Sequence, residues 1–319
     1  MFDFRNFDEV FAFEPEYTYD QSEVEKIDEH RTALEGLLFV DLVLKLLELK
    51  RPSKHYPPRT NSELRNLHQA VITSNAADHT KLSLLYYLLL DSDVKTRRHE
   101  HSERFQEISS LPGPHQILMR GLWHMDKLEF EVALQYLTHP SLIPTFHEEI
   151  LTAFVRHAKH DDFTLALSYY YTVQPTITTP EALGSLFSAI MRTSVGEAFF
   201  FQRGQSDSTR KQLFEMLVSF VMQTPAGEKA AARAAELVNL PFASEEELWF
   251  EEYLTTGTGR QYKRAKDTLI MRKIGTGRYS AALSMEGMDS RQIDGLSWEI
   301  IQAGLENGLG PRFDIEGAH

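Results

Sequence analysis

Apolar residues recur along this chain in short stretches at helical spacing, and one local pattern is repeated. An aromatic residue, two variable residues, Ala-Leu, one variable residue and then Tyr or Met occupy 130–136, 163–169 and 279–285. The alanines of the first two copies lie 33 residues apart (166 − 133), and Phe187 follows Phe154 at the same interval (187 − 154). A period near this length, with two apolar helical stretches in each unit, is typical of stacked helical hairpins. The pattern therefore predicts an all-α fold, an irregular α-solenoid of antiparallel helical hairpins.

The repeated pattern is expected to serve packing. Within each copy the aromatic residue, the alanine and the final Tyr or Met follow one another at intervals of three, so they share one face of a helix. An alanine at the centre of that face removes side-chain volume and allows the paired helix to come close, while the aromatic ring fills the edge. We therefore expect Ala133, Ala166 and Ala282 to lie in the core.

Three pairs of residues predict helix starts of the capping-box type, in which a residue before the helix and an acidic residue three positions later cap each other. Ser22 with Glu25 is expected to open a first long helix that runs to about Lys50, and later helices are expected to open at Thr145 with Glu148 and at Ser244 with Glu247. Prolines directly after Lys50 end the first helix, because proline cannot continue the hydrogen-bond ladder. No convincing alternating strand pattern is found between these helices.

The chain divides by composition into three parts. Residues 1–21 form an arm in which aromatic residues alternate with acids, residues 22–304 form the helical domain, and residues 305–319 form a glycine-containing, loosely ordered tail. Two interpretations of the arm stay open. Its aromatic side chains pack over the first helices, because aromatic rings bury large areas, or the arm is a peptide that docks on a partner.

Composition narrows the class of protein. The 319 residues carry a net charge of −13 and no cysteine. The negative charge argues against sequence-independent binding of nucleic acid, because it repels the phosphate backbone. Without cysteine there are no disulfides and no thiolate metal sites, which fits a reducing compartment such as the cytosol or nucleus. The longest apolar stretch, 37–49, is broken by Asp41, Lys45 and Glu48 at helical spacing, so we expect an amphipathic helix there and not a membrane span.

No motif predicts catalysis, a cofactor or a metal centre. The segment 147–149 (His-Glu-Glu) lacks the second histidine of a zincin, and 257–260 lacks both the preceding strand and the lysine of a phosphate loop. His157, His160 and Asp161 could converge at a helix end, but a closed metal site needs three or four ligands in fixed orientations. We therefore expect a non-enzymatic protein without cofactor or metal. A metal hydrolase built on a helical bundle is kept as an alternative.

Arginine and aromatic side chains are common anchors of protein interfaces, and two segments of the chain are rich in them. The basic stretch 260–278 reverses the charge of the surrounding chain, and it forms either one solvated helix face or a contact surface for an acidic partner. The run 192–203 holds three consecutive phenylalanines, at least one of which is expected to point towards a second layer or a partner. The candidate partner-binding residues are Arg192, Arg203, Trp249, Phe250, Arg264 and Arg272.

Three segments carry a resemblance to a known family: Asp8-Glu9-Val10-Phe11, the stretch 169–183 and the run 192–203. On these segments the chain resembles the helical domain of ELYS-like nuclear pore assembly proteins, most of all their short fungal members. The resemblance covers about residues 20–300. The resemblance implies a nucleoporin of the nuclear envelope that docks on protein subunits of the Y-shaped scaffold complex of the nuclear pore. It transfers no catalytic residue.

The resemblance extends to only part of the family pattern. Animal members also carry an N-terminal β-propeller and a basic tail with DNA-binding hooks, whereas this chain has neither an alternating-strand region nor an Arg-Gly-Arg hook. The expected partners are therefore proteins, with no direct nucleic-acid contact, no membrane insertion and no small-molecule substrate. A generic TPR-like module that captures peptides is the other alternative, and a concave face lined by Asn, Lys and Arg would favour it.

Overall fold

A computed structural model gives the structure of the protein and describes residues 2–11, 18–96 and 100–283, together with Met285, Ala303, Gly304 and Asn307. Every regular element in these ranges is helical, which confirms the all-α fold class. By its internal contacts the chain divides into two compact units, Met1–Leu186 (unit 1) and Phe187–His319 (unit 2). The domain boundaries at 21 and 304 and the solenoid arrangement stay predictions. The tail 305–319, apart from Asn307, lies outside the described residues.

Unit 1 is a set of helices packed around a central pair, α5 and α7. Its helices are α1 (Phe7–Val10), α2 (Gln21–Ala33), α3 (Phe39–Leu46), α4 (Asn61–Thr73), α5 (Asp78–Thr96), α6 (Glu100–Ile108), α7 (Gly113–Asp126), α8 (Phe130–Leu137), α9 (His147–Arg156), α10 (Thr164–Val173) and the first part of α11 (Pro180–Thr193). Short 3-10 turns lie at Pro52–Lys54 and Lys159–Asp161. Helix α5 packs against α3, α6 and α7, and α7 also packs against α3 and α8. The run 82–90 of α5 is buried throughout, as a helix that is apolar on nearly all sides must be.

The predicted first long helix is wrong in its start and in its continuity. The capping box is formed by Asp20 and Glu23, whose side chains each accept the other residue's backbone N–H at 2.8 Å, so helix α2 begins before Ser22. The helix then ends at Ala33, because Glu35 and Gly36 take left-handed conformations with φ of 59° and 88°. A glycine makes such a turn possible at little steric cost. The chain re-enters a helix only at the start of α3.

The segment 37–49 is amphipathic, as predicted, but one member of its polar stripe is misassigned. Asp41 is buried, because its carboxylate accepts hydrogen bonds from Arg31, whereas Lys45 is exposed. No helix in the described ranges combines the length and the apolar character needed to cross a lipid bilayer.

The repeated sequence pattern lies at the starts of α8, α10 and α17 (Tyr279–Leu283). Its alanines have no exposed surface, which confirms that they belong to the core: Ala133, Ala166 and Ala282. The helices that follow the first two copies keep the interval, since α9 begins at 147 and α11 at 180 (180 − 147 = 33). Aromatic rings link these helices in unit 1, with centroids 6.1 Å apart for Phe130 and Phe154 and 5.7 Å apart for Phe154 and Tyr169.

The described part of the N-terminal arm packs on the helices of unit 1. The ring of Phe7 meets His68 of α4 edge-on at 5.4 Å, and the Arg65 guanidinium lies 4.0 Å from the centre of the Phe7 ring. A ring nitrogen of His68 hydrogen-bonds the backbone oxygen of Phe4 at 3.0 Å, and Tyr19 is buried. These contacts correspond to the packing interpretation of the arm, and residues 12–17 lie outside the described ranges.

Unit 2 surrounds a cluster of phenylalanine rings. Its helices are the second part of α11, α12 (Val195–Arg203), α13 (Asp207–Gln223), α14 (Glu228–Asn239), α15 (Ser244–Thr255), α16 (Ala265–Gly275) and α17, with a 3-10 turn at Thr258–Gln261. Phe242, in the loop between α14 and α15, lies at the centre of the cluster. Its ring centroid is 5.5 Å from Phe199, 5.1 Å from Phe214 and 5.3 Å from Phe250. Because these rings come from α12, α13 and α15, the loop residue joins three helices into one core.

Candidate protein-binding surfaces

Arg272, one of the predicted partner anchors, lies inside unit 2 and is 4% exposed. Its Nε donates to Oε1 of Glu247 at 3.0 Å, and its Nη1 donates to the backbone oxygens of Val238 and Leu240 at 2.7 and 2.6 Å. The guanidinium also lies 4.1 Å from the centre of the Phe242 ring. Arg272 therefore joins the end of α14 to α15 and α16. A glutamate at this position would face Glu247, so we expect a charge reversal of Arg272 to destabilise unit 2.

Arg203 makes a second ion pair with the first turn of α15, this time with Glu246. Its Nε and Nη2 donate to the two carboxylate oxygens at 2.9 and 2.5 Å, and Nη2 also reaches the backbone oxygen of Pro241. Glu246 is fully buried and accepts further bonds from Gln202 and from the backbone N–H of Ala243. Burial alone would raise the pKa of Glu246, but these hydrogen bonds outweigh it and lower the pKa.

The basic stretch 260–278 is largely paired within unit 2. Lys273 donates to Glu251 at 2.8 Å, and Arg278 donates to Glu247 at 2.5 Å. Lys273 is buried together with Arg272, so the interpretation of the stretch as one solvated helix face is wrong at these two positions. Arg264 is half-buried. Its Nη2 donates at 2.9 Å to the backbone oxygen of Thr224, the residue that follows α13. The acids of α15 thus pair with three basic residues of this stretch, Arg272, Lys273 and Arg278.

The other predicted anchors differ in how much surface they offer. Phe250 has no exposed surface, and Trp249 is half-buried, with its ring edge against α13. Arg192 is exposed. Among the described residues of unit 2, Phe200 at 57% and Leu248 at 68% are the most exposed of the large apolar side chains. Phe200 is therefore the exposed member of the three consecutive phenylalanines, and whether it contacts a partner stays a prediction. The role of all six predicted residues in partner binding stays a prediction.

Unit 1 contains a buried carboxylate, Asp91, that accepts four hydrogen bonds. Its Oδ2 accepts the hydroxyls of Tyr19 and Tyr56 at 2.7 and 2.5 Å, and its Oδ1 accepts Nε1 of Trp123 and Nζ of Lys127 at 2.8 and 2.9 Å. Burial would raise the pKa of Asp91, but the charge of Lys127 and these hydrogen bonds lower it. The side chain of Asp91, in α5, therefore joins three other parts of unit 1: the arm, α7 and the loop that precedes α4.

Asp126, at the end of α7, caps a different helix. Its two carboxylate oxygens accept the first backbone N–H groups of α3, from Phe39 at 2.6 Å and Val40 at 2.9 Å, and the Tyr87 hydroxyl at 2.8 Å. Its backbone oxygen is hydrogen-bonded by Nδ1 of His30 at 2.9 Å. Burial raises the pKa of Asp126 to about 7 in spite of these donors. The arrangement satisfies N–H groups that a helix start otherwise leaves without partners.

Neither the buried aspartates of unit 1 nor the acceptor role of the α15 glutamates was recognised in the sequence. The signal for the aspartates was present: Asp91 directly follows the long apolar run of α5, and Asp41 interrupts another. An acid within an apolar stretch is buried only when it is paired, so it points to a polar network.

For the α15 glutamates the sequence predicts only a role at the helix start, the capping by Glu247. The capping box predicted for Ser244 with Glu247 is wrong, because Ala243 precedes α15 and only one bond forms, from its backbone N–H to Glu246. The one predicted for Thr145 with Glu148 is also wrong, because Phe146 precedes α9 and makes no side-chain cap bond.

An open cavity of about 590 Å³ lies in unit 1, lined by residues from 33–42, 148–157 and 179–182. We name it the α9 groove. Glu148 on its rim is fixed by Thr178 and Thr179, whose backbone and hydroxyl groups donate to its carboxylate. Slight burial opposes ionisation of Glu148, but these four hydrogen bonds lower its pKa to about 2. At one end of the groove the guanidinium of Arg156 pairs with Glu35.

The part of the chain that the structure describes contains no group of three or more His, Asp or Glu side chains placed to hold a metal ion. His157 lies in the wall of the α9 groove, where burial lowers its pKa. His160 and Asp161 are exposed residues with left-handed backbone conformations. The three do not form a ligand set in this structure.

Comparison with known proteins gives one matching family model and two relatives. The model is described as "ELYS: Nuclear pore complex assembly" and matches residues 37–257, which is 221 of the 319 positions (257 − 37 + 1). The chain is similar to "Uncharacterized protein ely5" of Schizosaccharomyces pombe, with 30% identity over 160 residues, covering 49% of this chain and 51% of that protein. It is similar to "Protein ELYS" of Homo sapiens, with 26% identity over 129 residues, covering 39% of this chain and 5% of the human protein. The chain thus spans about half of the yeast relative and a small part of the human one.

Proposed function

This chain belongs to the ELYS family of nuclear pore complex assembly proteins, and we propose that it acts there as a non-enzymatic scaffold subunit that docks on the Y-shaped complex of the pore. Family membership gives its location as the nucleus and the nuclear pore complex. The observation that carries the proposal is the family match itself, because it runs through both units, from 37 to 257.

The way in which the protein uses its charged side chains supports a non-enzymatic role. Asp91 and Asp126 are fully buried, and each accepts three or more hydrogen bonds from its own unit. Glu246 and Arg272 are paired in the same way in unit 2. Catalytic acids and bases need reach to a substrate. Groups bonded on all sides in this manner hold helices together instead.

The partners that we propose are the protein subunits of the Y-shaped scaffold. A standard protein interface buries roughly 1,600 Å² in total, with its energy concentrated in a few aromatic and arginine anchors. On unit 2, Arg192 and Phe200 are exposed residues of these two types, and the exposed Leu248 adds apolar surface. The net charge of −13 disfavours phosphate backbones as partners.

The peptide-binding alternative expected a concave face lined by Asn, Lys and Arg. The α9 groove is instead lined by several glutamates, with Arg156 as its arginine. Glutamates repel the acidic groups of a peptide, which a TPR-like module would hold with Asn, Lys and Arg side chains. A docking scaffold is therefore the function that the structure supports best.

Affinity purification of the tagged full-length chain from nuclei tests the proposal. We expect subunits of the Y-shaped complex to co-purify in stoichiometric amounts. Arg192→Glu should reduce their recovery, and Lys229→Glu, an equal charge reversal at another exposed position of unit 2, should not. Recovery of unrelated complexes alone, from protein with its normal helical content, would contradict the proposed function.

A further inference from the structure

One face of α9 faces open space. The helix buries one set of side chains in unit 1: Ile150, Leu151 and Phe154. A second set follows the spacing i, i+3, i+4, i+7 and lines the α9 groove: Glu149, Thr152, Ala153 and Arg156. Residues at this spacing form one continuous stripe, here about 10 Å long at the rise of a helix. Small side chains in the middle of the stripe, with charged ones at both ends, leave room for another backbone to approach closely.

The opposite side of the groove supplies apolar surface. Leu37 and Leu42 line it and are half-buried, and Phe39 and Ala182 form buried parts of the lining. The turn at Glu35 is held by the backbone bond from Gly36 to Arg31, at 2.7 Å. The groove therefore has one side formed by α9 and an apolar part formed by 37–42 and Ala182, and its volume lies in the range of ligand pockets, roughly 300–1,000 Å³.

The charged side chains on the rim of the α9 groove are mostly negative. Glu35, Glu149 and Glu181 are exposed, and Glu148 is fixed in its ionised form by the threonines beside it. The lining's arginine, Arg156, pairs with Glu35. A partner that fits this groove must offer apolar side chains to the base and positive charges to the rims.

We propose that the α9 groove docks an amphipathic helix of a partner protein, with apolar side chains along one face and lysines or arginines on both flanks. A helix suits the space because the exposed stripe of α9 is itself helical, so the two can pack side by side with the partner's apolar face directed at the base. The inference rests on the proposed docking function and names the kind of segment that the groove receives.

The binding test uses the full-length chain and a labelled synthetic peptide of about 18 residues, five helical turns long. The peptide carries leucines at i, i+3, i+4 and i+7, with lysines elsewhere. A second peptide has glutamates in place of the lysines, and a third has the first peptide's composition in an order that spreads the leucines around the helix. We expect binding of the first peptide, with a gain of helical circular dichroism, and at least about tenfold weaker Kd for the other two.

Two double variants separate the groove from the overall negative charge. Glu149→Lys/Glu181→Lys alters the rim, and Glu103→Lys/Glu107→Lys makes the same charge change at exposed positions of α6. We expect the rim variant to weaken binding of the basic peptide about tenfold or more, and the α6 variant to weaken it by no more than about twofold. Ala153→Trp, which fills the groove without changing charge, should also abolish binding.

Equal effects of the two double variants, or equal binding of the acidic and basic peptides, would overturn the groove inference. The nuclear purification distinguishes this failure from that of the proposed function. If pore scaffold subunits co-purify equally with the wild type and the rim variant, the groove is not their docking site, and the scaffold role stands. If the folded wild type recovers none of them, the scaffold role itself fails.

Discussion

The carboxylate of Asp91 in unit 1 and the carboxylates of Glu246 and Glu247 in unit 2 have different surroundings. In unit 1 the carboxylate of Asp91 is surrounded mainly by neutral donors, two tyrosine hydroxyls and an indole N–H, with Lys127 as its one cation. In unit 2 the carboxylates of Glu246 and Glu247 face arginines that lie over aromatic rings, with Arg203 over Phe199 at 4.3 Å.

This difference teaches how each unit fixes its helices. A fully buried acceptor with several donors specifies one arrangement and is costly to break, because each abandoned donor stays out of water. An arginine–carboxylate pair costs less to lose when the acid keeps other hydrogen-bond donors. Asp91 and Glu246 are both buried, with side chains 2% and 0% exposed, but Glu246 keeps Gln202 and the Ala243 N–H as donors when Arg203 is removed. We therefore expect unit 1 to be the more sensitive of the two to removal of a single charged group.

The largest effect is expected for Asp91→Ala. The change leaves the buried hydroxyls of Tyr19 and Tyr56 and the half-buried ammonium of Lys127 without their acceptor. Breaking a buried pair in this way costs about 3–5 kcal/mol of unfolding free energy. Chemical denaturation followed by circular dichroism measures it. Asp28→Ala is the matched control, since it removes an exposed carboxylate that pairs with Arg31, and it should cost at most about 1 kcal/mol. Similar costs for both variants would break the contrast between buried and exposed acceptors.

A somewhat smaller loss is expected for Arg272→Met in unit 2. Methionine fills part of the space over Phe242, but two backbone oxygens and Glu247 lose a donor. Because Arg278 still donates to Glu247, we expect a loss of about 2–3 kcal/mol in the same denaturation measurement. A loss as large as that of Asp91→Ala would remove the difference between the units. Wild-type stability with lost scaffold binding would show that Arg272 serves a partner after all.

The pH dependence of stability tests Asp126. Its folded pKa of about 7 lies above the ordinary value of 3.8, so its contribution is full below about pH 4 and is lost as the pH rises through 7. Over pH 5–8 the unfolding free energy should fall by on the order of 2 kcal/mol relative to Asp126→Asn, which cannot ionise. Burial lowers the pKa of His30 below its ordinary value of 6.5, so the contribution of His30 to the unfolding free energy is lost as the pH falls, opposite to that of Asp126. The comparison between wild type and variant cancels it. Parallel curves for the two proteins would mean that Asp126 is already ionised at pH 5.

The smallest effect is expected for Arg156→Ala. Its guanidinium pairs with Glu35, but both side chains are at least half exposed, at 50% and 61%. An exposed pair of this kind contributes about 0–1 kcal/mol. Thermal denaturation should therefore give nearly the wild-type midpoint. A loss comparable to that of Arg272→Met would show that the ion pair holds the α2–α3 turn in place.

Local spacing was enough to predict the fold class and the core alanines. Ala133 and Ala166 are buried where the repeated pattern places them, because they lie on the same helix face as the flanking aromatic residues. Helix continuity from 22 to 50 could not be predicted, since the break at Gly36 depends on the left-handed turn and on Asp126 of α7 capping α3. That contact joins residues 87 positions apart.

The site was harder to predict than the fold. Arginines and aromatic rings anchor interfaces and also build cores, and the sequence does not say which use applies. Phe250 and Arg272 are buried, whereas Arg192 is exposed. The α9 groove arises from three segments far apart in sequence, 33–42, 148–157 and 179–182, so no single stretch carries its signature.

The most direct test of a docking scaffold is co-elution of the purified full-length chain with the purified Y-shaped complex in size-exclusion chromatography with light scattering. We expect a stable complex with a stoichiometric mass increase, formed without nucleotide, metal or other cofactor. If the chain elutes apart from the complex at micromolar concentration while keeping its full helical circular dichroism, docking on the Y-shaped scaffold is contradicted.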